Sequence, residues 1–164
     1  MFSYPGDAFH SRFPEASRGL DGLREEYDKL FRSDEIWLYG AEYTAKNEFQ
    51  RVECLADIMG FYKAFGVEPR CDRPDALECE LEFMHYLIFK NIRAVENPVK
   101  QGGEDRSAVC LEAQSKFFNR HLYAPANRIS ELVISKTQSN FYAGGAEKLL
   151  EFMEAEKKSL VNAE

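Results

Sequence analysis

The stretch Pro74–Glu96, PDALECELEFMHYLIFKNIRAVE, constrains the fold more than any other part of the chain. As a helix it would run about 33 Å, enough to cross a small domain. At 100° per residue Leu77, Leu81, Met84, Ile88, Ile92 and Val95 share one stripe. Phe83, Leu87 and Ala94 form an arc beside it, and only a wedge with Glu78, Glu82, Arg93 and Glu96 is polar. A helix apolar over most of its circumference is a central one, packed on several sides. Glu80 and Asn91 break the apolar arcs. A carboxylate in such a place is either buried with hydrogen-bond partners or lines a groove.

The chain has 164 residues, a length that suits one domain around one core. Its net charge of -7 speaks against nucleic-acid or anionic-membrane binding, which needs Lys and Arg, and is compatible with a basic peptide partner. No apolar run reaches about 18 residues, so no stable membrane insertion is expected. The first residues, MFSYPGDAFHSRFPEASRG, lack the apolar core of a signal peptide, and the expected location is the cytoplasm. Cys54, Cys71, Cys79 and Cys110 form no CxxC pair and read as buried, reduced thiols.

In chain order, residues 1–17 read as a loose arm broken by Pro5, Gly6 and Pro14. A helix is predicted over Leu20–Phe31, then an irregular connection with the only tryptophan, Trp37. A second helix spans about Ala45–Phe65, with Phe49, Val52, Leu55, Ala56, Met59 and Tyr62 inward and Glu53 and Asp57 outward. Gly66 suits its C′ position. Pro74 stands near the start of the central helix, and Asp75 with Glu78 has the form of a capping box. Residues 96–106, with Pro98, Gly102 and Gly103, form a candidate hinge. A helix over about Ser107–Leu122 projects Gln114 and His121 from one face. Pro125 starts another, extended to Phe141–Tyr142. Gly144–Gly145 breaks the pattern, and a last helix covers about Ala146–Val161. The expected fold is all-α, a single-domain bundle of about six or more helices.

Reactive motifs are sparse. Glu82 and His85 make an E-x-x-H pair, but a di-iron carboxylate site needs a second one, which neither His10 nor His121 supplies. There is no P-loop, no G-x-G-x-x-G and no G-x-S-x-G, so neither a cofactor nor a metal is expected. A helical enzyme would rest on Glu80 and His121 as acid–base groups in a closed pocket, which is the alternative reading, beside a structural subunit of a larger complex. Tyr27, Phe31, Asp75, Glu80, Gln114 and His121 instead suit an aromatic, apolar surface with carboxylates set into it. Such a surface takes a peptide with apolar residues and a positive charge.

The run PDALECELEFMHYL resembles the maturation chaperones of molybdenum oxidoreductases, the TorD/DmsD/NarJ-like redox enzyme maturation proteins, which read P-D-H-L-x-x-E-L-E-F-M in this helix. Glu26–Phe31 is similar to the family's E-Y-x-x-L-F, and GAEY followed by FYKAFGVEP to its E-S-x-Y and later Y-x-x-x-G. Glu112, Gln114, Phe117, His121 and Leu122 match E-x-Q-x-x-F-x-x-x-H-L, and Phe141-Tyr142 its late F-Y. The resemblance spans roughly residues 23 to 153. It implies an all-helical protein without turnover of its own, which binds the twin-arginine signal peptide or the immature catalytic subunit of a molybdopterin oxidoreductase until the cofactor is inserted. On that resemblance Tyr27, Phe31, Asp75, Glu80, Glu82, Phe83, Gln114 and His121 are the candidate peptide-binding residues. Asp75 and Glu80 lead as partners for the arginines, and Tyr27, Phe31 and Phe83 as apolar walls. The chain departs from the pattern at Ala76, where the family has histidine, and at Tyr123-Ala124-Pro125, where it commonly has tryptophan two residues after His-Leu. A monomer is expected, or a homodimer formed by helix exchange across residues 96–106.

Overall fold

A computed structural model describes residues 20–33, 35–96 and 103–161. Among them are seven α-helices: α1 (Leu20–Phe31), α2 (Ala41–Thr44), α3 (Glu48–Ala64), α4 (Leu77–Glu96), α5 (Gly103–Phe117), α6 (Tyr123–Lys136) and α7 (Asn140–Val161). No strand forms among these residues beyond an isolated antiparallel bridge between Tyr39 and Ala76, and the fold is all-α as expected. The expected loose arm lies outside the described residues, as does most of the candidate hinge.

Local chemistry explains where the helices begin and end. Asn47 caps α3 by accepting from Gln50 N at 3.0 Å, while the Gln50 side chain reaches back to Lys46 N at 2.9 Å. That reciprocal cap starts the helix three residues later than the hydrophobic pattern suggests. Gly66 ends it at φ 66°, with Val67 N bonded to Tyr62 O and Gly66 N to Lys63 O, the paired bonds of a Schellman motif. Helix α4 begins at Leu77 rather than Pro74, because residues 75–77 are engaged elsewhere. Gly40 N donates to Asp75 O at 2.8 Å and Leu77 N to Leu38 O at 2.9 Å.

Helices α5 and α6 are one continuous rod joined by a π-helical turn at Phe118–Leu122. Tyr123 N bonds to Phe118 O, one residue wider than an α-helix allows. Pro125 follows directly. It has no N–H to offer the carbonyl four residues back, and its ring crowds that carbonyl, so the widened turn is where the rod absorbs the proline. Helix α4 packs along α5, and α7 along α6. Two apolar clusters result. The larger gathers Ile58, Tyr62, Phe83, Met84, Leu87, Phe117, Phe118 and Met153, and the smaller Leu30, Ile36, Ile129, Val133 and Ala146. The rod supplies residues to both.

Three expectations are corrected. Helix α7 starts at Asn140 and runs through Gly144–Gly145, so Phe141 and Tyr142 belong to it and not to α6. Residues 137–139 make the break instead. Thr137 N closes the last turn of α6 on Val133 O, and the Ser139 hydroxyl accepts from Phe141 N at 3.3 Å. Helix α3 is turned relative to its predicted face: Tyr62 is buried as expected, Leu55 is half-buried and Ile58 joins the core, whereas Phe49 (71% exposed), Val52, Ala56 and Met59 face solvent. Helix α4 is buried in its first half only, and Phe89, Ile92 and Val95 are exposed. The cysteines are corrected too. Cys71 and Cys79 form a disulfide with Cα atoms 6.6 Å apart, while Cys54 and Cys110 are free.

Candidate functional site: two hollows on one helix turn

The first turn of α4 is held by a charged knot. Asp75, wholly buried, accepts from Ala41 N at 3.0 Å and takes both Nε and Nη2 of Arg73, at 3.0 and 2.8 Å. Arg73 Nη1 goes on to Glu42 at 2.8 Å, and Arg51 closes on the same carboxylate at 3.1 Å. The hydrogen bond to Asp75 leads in raising the Arg73 pKa further. The guanidinium also covers the Tyr39 ring at 4.2 Å, and Tyr62 OH donates to Pro74 O at 2.8 Å. Asp75 therefore spends its oxygens on α2 and Arg73, not on a capping box with Glu78.

Glu80 lies just inside this knot. It is 0% exposed, and neither carboxylate oxygen has a hydrogen-bond partner. Burial, and secondarily the Asp75 charge, push its pKa up to about 9, so it carries a proton at neutral pH. A Cβ on Gly40 would stand 3.3 Å from Glu80 Oε1 and 3.5 Å from Pro125 Cγ. The glycine is what lets the α1–α2 connection pass over this carboxyl group.

Two hollows flank the same helix turn. One, of about 200 Å³, is almost wholly apolar and lies between α1, the start of α4, α6 and α7. Phe31, Leu38, Leu77, Ile129, Val133 and Tyr142 form its walls. Tyr142 is fixed there by donating to Leu23 O at 2.8 Å, and its ring meets Phe31 edge-on at 6.0 Å. Tyr27 stands at 5.1 Å from Phe31 and is 39% exposed. The second hollow, of about 610 Å³, is mixed in character. Its floor is Tyr62, Phe83 and Tyr86, the Cys71–Cys79 bond lies in its wall, and three carboxylates, Glu68, Glu78 and Glu82, surround it together with one cation, Arg70. Leu77 belongs to the first hollow and Glu78 to the second, so consecutive side chains of one turn divide them.

The predicted site residues separate accordingly. Phe31 and, through it, Tyr27 belong to the apolar hollow, and Glu82 and Phe83 to the acidic one. Asp75 and Glu80 are buried beneath both. Gln114 and His121 do not pair with each other. Gln114 Nε2 donates to Glu156, leaving its own Oε1 buried without a partner. His121, turned by the π-helical segment, places Nε2 2.7 Å from Asp57 and Nδ1 3.7 Å from Cys54 Sγ, between the rings of Phe61 and Phe117. Burial lowers its pKa despite Asp57. The enzyme reading joined Glu80 to His121, but their neighbours differ: Gly40 and Pro125 for one, Asp57 and Cys54 for the other. Among the described residues no group of three or more His, Cys, Asp or Glu is placed to hold a metal, and no helix is long and apolar enough to cross a membrane.

Sequence reasoning missed Glu68, Tyr86, Leu38 and Tyr142 as lining, and Arg73 and Glu42 as the partners of Asp75. Arg73 stood two residues before Asp75 and was the available signal. Glu68 and Tyr86 had none, since only the return of the chain at residues 67–76 brings them together.

The all-helical domain thus carries an apolar and a mixed, largely acidic hollow on either side of one helix turn. The model of the nitrate reductase delta subunit family matches residues 6–126, and the chain belongs to that family, which comprises the NarJ/TorD-type chaperones of molybdoenzyme assembly. No curated protein and no solved structure matches the chain.

Proposed function

We propose that this protein is a cytoplasmic chaperone that binds the twin-arginine signal peptide of a molybdopterin oxidoreductase, and with it the immature catalytic subunit, during cofactor insertion. The observation that carries this reading is the division at Leu77 and Glu78. A twin-arginine leader has a cationic stretch followed by an apolar one, and the two hollows on either side of that turn have the complementary order of character. Leader side chains would fill the walls of Phe31, Leu38 and Tyr142, with Tyr27 extending them outward. The arginines would lie against Tyr86 and among Glu68, Glu78 and Glu82, where bidentate pairing and cation–π contact favour guanidinium over ammonium. Asp75 and Glu80 serve this site from below by fixing the turn, and Phe83 supports its floor. Gln114 braces α5 against α7, and His121 braces the π-helical turn against α3.

Calorimetric titration of the full chain with a synthetic twin-arginine leader, beside a Lys-Lys control, tests the reading. Tight binding that weakens in the control and again in Glu78→Gln and Glu82→Gln supports it. Each rim charge should be worth roughly 0.2–1 kcal/mol, with the loss shrinking in high salt. Equal affinity for both peptides, or none for either, refutes it.

A further inference from the structure

The Cys71–Cys79 bond lies in the wall of the acidic hollow. Cys71 is half-buried in the 67–73 segment, and Cys79 is 4% exposed in the first turn of α4. Both line the acidic hollow, so an incoming thiolate has a path to the Cys71 sulfur. Cys79 is the natural leaving group, because the dipole at a helix N-terminus favours a thiolate. Glu78 and Glu82 on the rim oppose this charge through solvent, which screens them, while the two buried carboxyl groups of this turn do not. Asp75 is neutralised by Arg73, and Glu80 is uncharged at neutral pH. The ring closed by the bond contains Arg73, Pro74 and Asp75, the residues that latch α4 to the 38–42 segment. In a reducing compartment such a bond is characteristically transient or redox-sensing.

We infer that Cys71–Cys79 is a thiol–disulfide exchange site, taking a dithiol of the thioredoxin class, and that its opening loosens the 67–73 wall of the acidic hollow. One thiolate of the dithiol bonds to Cys71 Sγ, and the Cys71–Cys79 bond breaks. Cys79 leaves as a thiolate and takes a proton from solvent. The second thiol of the dithiol then attacks the mixed disulfide and releases Cys71. The pair gains two electrons, and the dithiol becomes a disulfide.

This inference does not depend on any peptide being bound, and the test uses the full chain alone. The folded protein is treated with reduced thioredoxin, then with oxidised glutathione, and free thiols are tagged with maleimide and located by mass spectrometry. Cys71 and Cys79 should both become reactive under the dithiol and close again under the oxidant, with the helical circular dichroism unchanged. In parallel, tryptic cleavage after the exposed Arg70 should be roughly tenfold faster in the reduced form, since a constraint on local opening is lost. Cys71→Ser should match the reduced protein in both buffers. A bond that opens only in denaturant, thiols that never close in the folded protein, or cleavage at one rate in both states would overturn the inference.

Discussion

Replacing Glu80 by glutamine should make the protein more stable as the pH rises, and the size of the effect follows from the burial of one carboxyl group. In the unfolded chain Glu80 ionises at its ordinary pKa of 4.5; in the fold it holds its proton up to about 9. Between those limits the unfolded state has released a proton that the folded state retains, so stability falls with rising pH. At about 1.4 kcal/mol per unit, the penalty at pH 7 is about 3 kcal/mol, a sizeable part of the 5–15 kcal/mol typical of a domain. Glu80→Gln removes the ionisation. It adds an amide among atoms that offer the carboxyl oxygens no hydrogen bond, at a cost of about 1–3 kcal/mol that does not vary with pH. The decisive quantity is therefore the slope. Urea denaturation from pH 5 to 8 should show the variant gaining on the parent by about 1.4 kcal/mol per unit. His121 acts in the opposite sense, because its lowered pKa leaves it neutral in the fold while the unfolded chain binds a proton below about pH 6.5. It is present in both proteins and cancels. Parallel stability curves would show that Glu80 is ionised in the fold and refute the assignment.

Asp75→Ala should cost about 3 kcal/mol in urea denaturation, because it leaves Arg73 and Ala41 N without their shared acceptor; a loss below 0.5 kcal/mol would mean that the knot does not hold α4. Gly40→Ala has helical dihedrals and would ordinarily stabilise, yet its Cβ meets Glu80 and Pro125, so the melting temperature should fall by the equivalent of about 1–2 kcal/mol. Phe49→Ser should change stability by less than about 0.5 kcal/mol, as the side chain is exposed, and a loss of about 2 kcal/mol would place Phe49 on the buried face of α3.

Helix existence was legible in the sequence, because apolar spacing at 3.6 residues marks a helix wherever it packs. Leu20–Phe31 coincides with α1, and Gly66 sits at the C′ position. Which face a helix buries was less legible. On α3 Tyr62 belongs both to the predicted stripe with Phe49, Val52 and Met59 and to the buried line with Ile58, and only the position of α4 and the α5–α6 rod decides between them. The glycines at 144 and 145 suggested a break, but Ala146 and Met153 pack α7 strongly enough to override their propensity. The site was legible as residue types more than as positions. Carboxylates and aromatics were expected to form one surface, yet Asp75 and Glu80 are buried, since a sequence does not reveal that Arg73 turns back on one and Gly40 covers the other. Cys71 and Cys79 carried no CxxC spacing, and their union depends on a chain reversal visible only in three dimensions.

Trp37 lies in the α1–α2 connection, 43% exposed, with its carbonyl accepting from Tyr43 OH at 2.8 Å and its ring 6.4 Å from that of Tyr39, the ring covered by Arg73. It is the only indole in the chain. The protein thus carries a single built-in fluorophore, set beside the latch and apart from the aromatic core. Its emission reports whether the 38–40 segment is engaged with the start of α4, in real time and without a label, while the phenylalanines and tyrosines of the core stay dark at its excitation wavelength.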